Sequence, residues 1–288
     1  MSELKMKFDS DIKSMKLYNN VNRIYNELRE LGKKDNEPLL VEELTNFDQL
    51  HYHGTEAVDF AIKELGIKSH MSILEIGSGI GGPARYIANK TGAKVTALEL
   101  QPDQNKLALD LTRRCDLSEK VIHVCGNFLN YDWLGQKFDV IVSWLTLYHI
   151  LEHKTLLKKC YDLLNNQGFF YAEDLISREP LNNDELLELS KEIYAKTLLN
   201  YQDYKLGLKK AGFKLISCKD MSEQWTKFTR DRASTYNKNK KRNLQVHGLE
   251  VVSSLSSFYS VIDRYFSTSK LGGIRIISCK STASQVLH

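Results

Sequence analysis

The feature that most limits the fold is the stretch Ile73–Arg85, ILEIGSGIGGPAR. An apolar run carrying one carboxylate, Glu75, enters a glycine-rich turn, and a helical pattern through Ala84–Ala88 leaves it. The pattern predicts a buried strand, a tight loop and a helix whose first amides face the loop. Glycines suit such a loop because they take positive φ and let a ligand approach the backbone closely. The spacing alone admits two readings: Gly77, Gly79 and Gly82 fit G-x-G-x-x-G, and Gly77, Gly79 and Gly81 fit the tighter G-x-G-x-G. Glu75 separates them. An acid two residues before the first glycine repels a pyrophosphate, whereas it favours a ligand bearing an ammonium or sulfonium.

From Met71 onward, apolar runs alternate with helical patterns. Strands are expected at Ile73–Ile76, Lys94–Glu99, Val121–Cys125, Phe138–Ser143, Phe169–Glu173, Lys214–Ser217 and Ile274–Lys280. Helices are expected at Pro83–Lys90, Asn105–Arg114, Leu156–Leu164, Leu181–Leu199, Tyr201–Ala211, Ser222–Thr235 and Leu249–Phe266. Strands separated by helices imply parallel pairing with right-handed crossovers and helices on both faces, an α/β fold. Ahead of this region, Phe8–Leu31, Leu39–Leu44 and Thr55–Leu65 read as helices. The division expected is an N-terminal helical cap over 1–70 and a core over 71–288, with cap insertions around 175–200 and 221–266.

Composition serves mainly to exclude. The 288 residues suffice for a full core, and 42% hydrophobic and 26% charged content are ordinary for a globular protein. A net charge of +4 neither demands nor excludes an anionic partner. The five cysteines are far apart with no C-x-x-C pair, which argues against a zinc site and a disulfide framework. The N-terminus, MSELKMKFDSDIK, lacks a signal-peptide apolar core, and no stretch approaches the roughly 18 apolar residues of a membrane span. A cytoplasmic protein with no metal and no nucleic-acid partner is expected; the oligomeric state stays open. The basic run Lys238–Arg242 resembles an anionic-surface patch, but it is short and lacks a supporting fold signal, so a solvated loop is expected.

Residues 73–85 resemble motif I of the class I S-adenosylmethionine (SAM)-dependent methyltransferases. The likeness covers Met71–Phe213, about half of the chain. Gly77–Arg85 is most similar to the group of glycine, sarcosine and dimethylglycine, phosphobase and sterol methyltransferases. Glu75 and Glu99 stand where some of these have Asp. The resemblance implies a Rossmann-like, doubly wound seven-stranded sheet whose last strand is antiparallel, with SAM as cofactor. It places Glu75 near the methionine ammonium, and Gly77, Ser78, Gly79 and Gly81 in the loop beside it. Glu99 ends the second strand about 20 residues after the loop, where a carboxylate accepts from ribose hydroxyls; this position does not distinguish SAM from NAD. Asn127 would meet the adenine amino group and Phe128 its ring, with Leu100 and Ser143 completing the set.

The acceptor is approached by elimination. The fourth strand ends Ser143-Trp144-Leu145-Thr146-Leu147-Tyr148-His149. It lacks the Asn/Asp-Pro-Pro-Tyr/Phe of enzymes that methylate nucleic-acid bases, and the acids of metal-dependent catechol methyltransferases. His149 lies just past the strand's carboxyl end, where open α/β sheets bind ligands. Histidine can take a proton near neutral pH. The stretch is similar to that of phosphoethanolamine methyltransferases, where a His in this place assists catalysis; the other reading is a packing role. In related enzymes the segment holding Gln49, His51, Tyr52 and His53 closes over the donor, so His51 and His53 are further catalytic candidates. Tyr52, Tyr148, Glu173 and Trp225 are the substrate candidates. The Glu173-Asp174 pair either holds a cationic amine, with Tyr171, Trp225, Phe228 and Tyr236 offering ring faces, or caps the next element. Lys227, Arg230 and Arg232 instead suit a carboxylate or phosphate. The expected function is methyl transfer from SAM to a small molecule, first an amine nitrogen, with C-methylation of a sterol-like lipid as the alternative. A catalytically silent binding module and an NAD-dependent oxidoreductase are weaker; intact Glu75, Gly77, Gly79 and Glu99 argue against the silent module.

Overall fold

Strand β1 (Ser72–Ile76) is buried along Ile73, Leu74, Glu75 and Ile76, and so needs a strand on each side. It pairs in parallel with β2 (Lys94–Glu99) and β4 (Phe138–Trp144). In this computed structural model, which describes residues 20–281, β3 (Val121–Cys125), β5 (Leu164–Ser177), β6 (Lys214–Asp220) and β7 (Leu271–Cys279) complete a seven-stranded sheet of order β3-β2-β1-β4-β5-β7-β6. The last strand inserts between β5 and β6 and runs antiparallel to both, so the expected topology is present.

The helices are α1 (Arg23–Glu30), α2 (Val41–Leu44), α3 (Gly54–Leu65), α4 (Gly82–Thr91), α5 (Pro102–Arg114), α6 (His153–Leu163), α7 (Asn183–Glu192), α8 (Tyr201–Ala211), α9 (Ser222–Lys238) and α10 (Lys240–Ser267). Several expectations change. The helix expected over Phe8–Leu31 falls partly outside the described residues. The one expected over Leu181–Leu199 stops at Glu192, because Tyr194 takes a positive φ of 55°. Strand β5 runs on to Ser177 because Leu175 and Ile176 bury opposite Gly273 and Gly272 of β7, so Glu173 and Asp174 lie inside the strand rather than at its end.

The turn from β1 to α4 carries positive φ at Gly77, Gly79 and Gly81. The amides of Gly77 and Ser78 both donate to the Leu98 carbonyl at 2.9 Å, which fixes the turn to β2. At Gly77 a Cβ would also run into the Thr146 side chain, so two constraints require glycine there. Pro83, at the start of α4, supplies a helical φ where no amide partner is needed.

Helices α9 and α10 pack together over the carboxyl ends of the strands. Trp225 of α9 lies on Gly273 of β7, where a Cβ would overlap its ring, and joins Tyr52, Phe258, Ile262 and Phe266 in one apolar cluster. Helix α10 is broken at Gly248, with φ 82° and ψ 170°. Ahead of the break, Arg242 donates to both Glu27 oxygens, at 2.8 and 2.5 Å, and tethers α10 to α1. The expected loop at Lys238–Arg242 is therefore mostly helix, with Lys238, Lys240 and Lys241 exposed. Among the described residues no helix is long and apolar enough to cross a membrane.

The segment before α3 is stapled to the core by a buried ion pair. Arg85 Nη2 meets Asp48 Oδ2 at 2.9 Å, both side chains being inaccessible to solvent. Arg85 Nη1 also donates to Thr112 Oγ1 at 3.3 Å, and Gln49 Nε2 donates to Asp48 Oδ1 at 2.8 Å. The Asp48 carbonyl sits on Gly82, where no Cβ could fit. Asp48→Ala leaves the guanidinium buried without its counter-charge and is expected to cost about 3–5 kcal/mol in urea unfolding. A cost below about 1 kcal/mol would show that the pair does not anchor this segment.

Candidate active site

The carboxyl ends of β1 to β4 form the floor of a cavity of about 380 Å³, a size suited to small ligands. Its walls come from the glycine turn, from residues 48–52, from the 3₁₀ turn Leu147–His149 and from α9 and α10.

One half is lined by acids. Glu75, only 1% exposed, reaches the wall with Oε2 buried and without a hydrogen-bond partner. Burial pushes its carboxyl up to about 8, against the pull of Arg85 and the Ala84 amide. Glu99 accepts from the Gly79 amide on one oxygen and from the Gln101 amide on the other, each at 2.8 Å. Burial raises its carboxyl despite these bonds and a third from the Leu100 amide, and the remaining lone-pair site is open to a ligand hydroxyl. Gly77, Ser78, Gly79, Leu100, Asn127 and Phe128 are on the same wall. Asn127 Oδ1 already accepts the Leu129 amide at 2.9 Å, so it can serve a ligand only through its second lone pair. The Ser78 hydroxyl is buried and unpartnered. An orphaned carboxylate oxygen, an orphaned hydroxyl and a turn open to backbone approach fit a ligand with a cationic end and a ribose. These residues suit SAM.

Two of the expected cofactor residues stand off the wall. Ser143 is fully buried and donates to the Ile76 carbonyl at 2.9 Å, joining β4 to β1. Gly81 gives room to protein groups: a Cβ there would come within 2.7 Å of His123 and 2.8 Å of Arg85.

The other half holds His51, Tyr52, Tyr148, His149 and Arg232, with Leu175, Phe258 and Ile262 as apolar wall. His51 Nε2 lies 2.9 Å from the Gly54 carbonyl, and His149 Nδ1 lies 3.2 Å from that of Tyr194. A carbonyl only accepts, so these nitrogens carry the hydrogens, and the lone pairs fall on His51 Nδ1 and His149 Nε2. Burial pushes His51 down to about 3 and His149 down to about 4, so both rings are neutral near pH 7. Burial raises the Tyr52 phenol.

The Arg232 guanidinium lies 4.9 Å from the Phe228 ring centre, 5.6 Å from Tyr259 and 5.9 Å from Tyr52. It donates to the His51 carbonyl at 3.4 Å, and no carboxylate among the described residues pairs with it. Its neighbours are engaged elsewhere: Lys227 with Asp231, Arg230 with Ser267.

Three further candidates lie outside the cavity wall. His53 takes a positive φ of 60° ahead of α3, which turns its ring onto Phe228 at 4.6 Å. Glu173 Oε1 accepts from Tyr171 Oη and from Arg275 Nε, both at 2.6 Å, so the carboxylate is engaged by protein groups. Trp225 is buried edge-on to Tyr52, with ring centres 4.9 Å apart. Asp174, its carboxyl pushed up to about 7 by burial, accepts the Tyr204 hydroxyl at 3.0 Å and the Tyr148 amide at 3.3 Å. It supports the turn carrying Tyr148 and His149. Asp48 and Thr146 reach the wall without having been singled out in the sequence; their partners, Arg85 and Gly77, are too distant in the chain to flag them.

Comparison with known proteins agrees with this geometry. Phosphoethanolamine N-methyltransferase of Plasmodium falciparum is 27% identical over 210 residues, 72% of this chain and 77% of that protein. Sterol 24-C-methyltransferase of Aspergillus fumigatus is 26% identical, over 56% of this chain and only 44% of its own length. Among solved structures, phosphoethanolamine N-methyltransferase 2 of Haemonchus contortus, in complex with phosphomonomethylethanolamine and S-adenosylhomocysteine, shares the fold. Its TM-score is 0.78 at 19% identity, covering 96% of this chain and 60% of that one. Residues 45–273, well over half of the chain, match the mycolic acid cyclopropane synthetase family. The chain belongs to that family and is a SAM-dependent methyltransferase acting on a small molecule.

Proposed function

We propose that the acceptor is a small amine that also carries an anionic group, and that its nitrogen receives the methyl group. The observation that carries this reading is Arg232: a guanidinium on the cavity wall, framed by three rings and unmatched by any carboxylate of the described residues. A half-buried cation of this kind is complemented by a carboxylate or phosphate on the ligand. The phosphobase relatives support the same reading.

When bound, SAM supplies an electrophilic methyl group on a sulfonium. Glu75, Ser78, Gly79 and Glu99 hold the donor, and Arg232 orients the acceptor by its anion. His149 is the group we assign to accept a proton from the acceptor nitrogen; burial keeps the ring neutral near pH 7 while lowering its basicity. His51 and Tyr52 close the acceptor side against water, within a cap we assign to residues 20–70, 175–200 and 221–266. Positioning and water exclusion supply most of the rate, since displacement at the methyl carbon needs no further catalyst. The free thiols of all five cysteines support a cytoplasmic setting, and the reading involves no nucleic acid. C-methylation of a sterol-like lipid is the second reading, favoured by Leu175, Phe258 and Ile262 on the wall.

A labelled-methyl assay over amino acids, phosphobases and sterols separates the two. Transfer to an anionic amine is expected; transfer only to sterols would overturn the proposal. Arg232→Met is expected to raise KM for the acceptor roughly 10–100-fold while leaving SAM affinity unchanged. His149→Gln is expected to lower kcat by about 10²–10⁴ with SAM affinity intact. A His149→Gln enzyme with unchanged kcat would assign that ring to packing alone.

A further inference from the structure

Glu75 is a carboxyl group with no counter-charge of its own. Its side chain is sealed from solvent on β1, and among the described residues the cation acting on it is Arg85 of α4. That guanidinium is already paired with Asp48 at 2.9 Å. Two more carboxylates, Glu99 of β2 and Asp48 of the segment before α3, act on Glu75 and disfavour a further negative charge. From α4 it also receives the Ala84 amide; His123 of β3, beside Arg85, is half-buried and held neutral. Glu75 and Asp48 thus draw on one guanidinium, and Glu99 adds repulsion. Oε2, buried at the cavity wall, makes no hydrogen bond. An ionised group so placed is costly to bury, and the cost is relieved either by a proton or by a cation entering the cavity.

We propose that Glu75 carries a proton in the empty site and releases it when the cofactor's ammonium arrives, so that donor binding is coupled to the loss of one proton. The inference rests on the donor-site reading and extends it to a local exchange at Glu75: the ligand's ammonium takes the place of a proton, which passes to solvent, while the ligand's own carboxylate lies away from Glu75. The upward push of burial on this carboxyl, to about 8, agrees with the geometry. Below that value the empty protein holds the proton and the complex does not. Affinity therefore rises with pH up to about 8 and is level above it. The coupling discriminates by charge: an adenosine lacking the amino acid end brings no cation, and its binding releases no proton.

Calorimetric titration of the full chain with S-adenosylhomocysteine at pH 6.5, in buffers of different ionisation enthalpy, tests this. At that pH the ligand amine is already protonated, and the buried histidines are neutral. The observed heat is expected to vary with buffer by a slope approaching one proton released for the wild type and near zero for Glu75→Gln. Independently of any variant, the wild-type Kd is expected to fall about tenfold per pH unit between pH 5.5 and 7.5. Binding with no buffer dependence and a flat Kd overturns the inference and leaves the donor site standing. Equal proton release from wild type and Glu75→Gln assigns the proton to another group and likewise overturns it. No binding at any pH removes the donor-site reading itself, and this inference with it.

Discussion

The Gly79 amide donates to Glu99 at 2.8 Å, and beside it the amides of Gly77 and Ser78 donate to Leu98. These bonds hold the glycine turn and the end of β2 at one height and face their backbones toward one cavity. The turn can take this path because three of its glycines have positive φ. Helix α4 then starts where Arg85 can reach Asp48, and this pair draws the 46–53 segment over the turn. The segment brings His51 and Tyr52 to the wall, and Tyr52 in turn seats Trp225 and Phe228 of α9. The cap is thus registered on the core through a short chain of contacts that begins at the turn.

The cavity is electrostatically divided. Glu75, Glu99 and Asp48 line one side, and Arg232 stands on the other. A cationic methyl donor and an anion-bearing acceptor are the pair such a division accommodates. With water excluded, each charge acts in a medium far less polarisable than bulk water. Between them sit two histidines, both held neutral by burial and both fixed in one tautomer by a backbone carbonyl. The site can accept a proton without first losing one.

Much of this was legible in the sequence where the signal is local. The glycine turn, the strand alternation and the carboxylates Glu75 and Glu99 depend on neighbours a few residues away, and the expected sheet formed. Residues whose surroundings depend on distant partners are not legible in the same way. Glu173 and Asp174 look like a strand end, yet Arg275 and Tyr204 satisfy them inside the sheet. His51 and His53 look alike in the chain, but a positive φ at His53 turns its ring away from the cavity. Lys227, Arg230 and Arg232 equally suit an anion in the sequence, whereas in the structure Asp231 and Ser267 engage two of them and the third lines the cavity.

The division of the cavity is tested most directly by a crystal structure with S-adenosylhomocysteine bound. The account predicts the amino acid end beside Glu75, the ribose at Glu99, and the sulfur directed toward the space between His149 and Arg232. A ligand lying in the opposite sense, with its carboxylate on Arg232 and its adenine over the glycine turn, would contradict it.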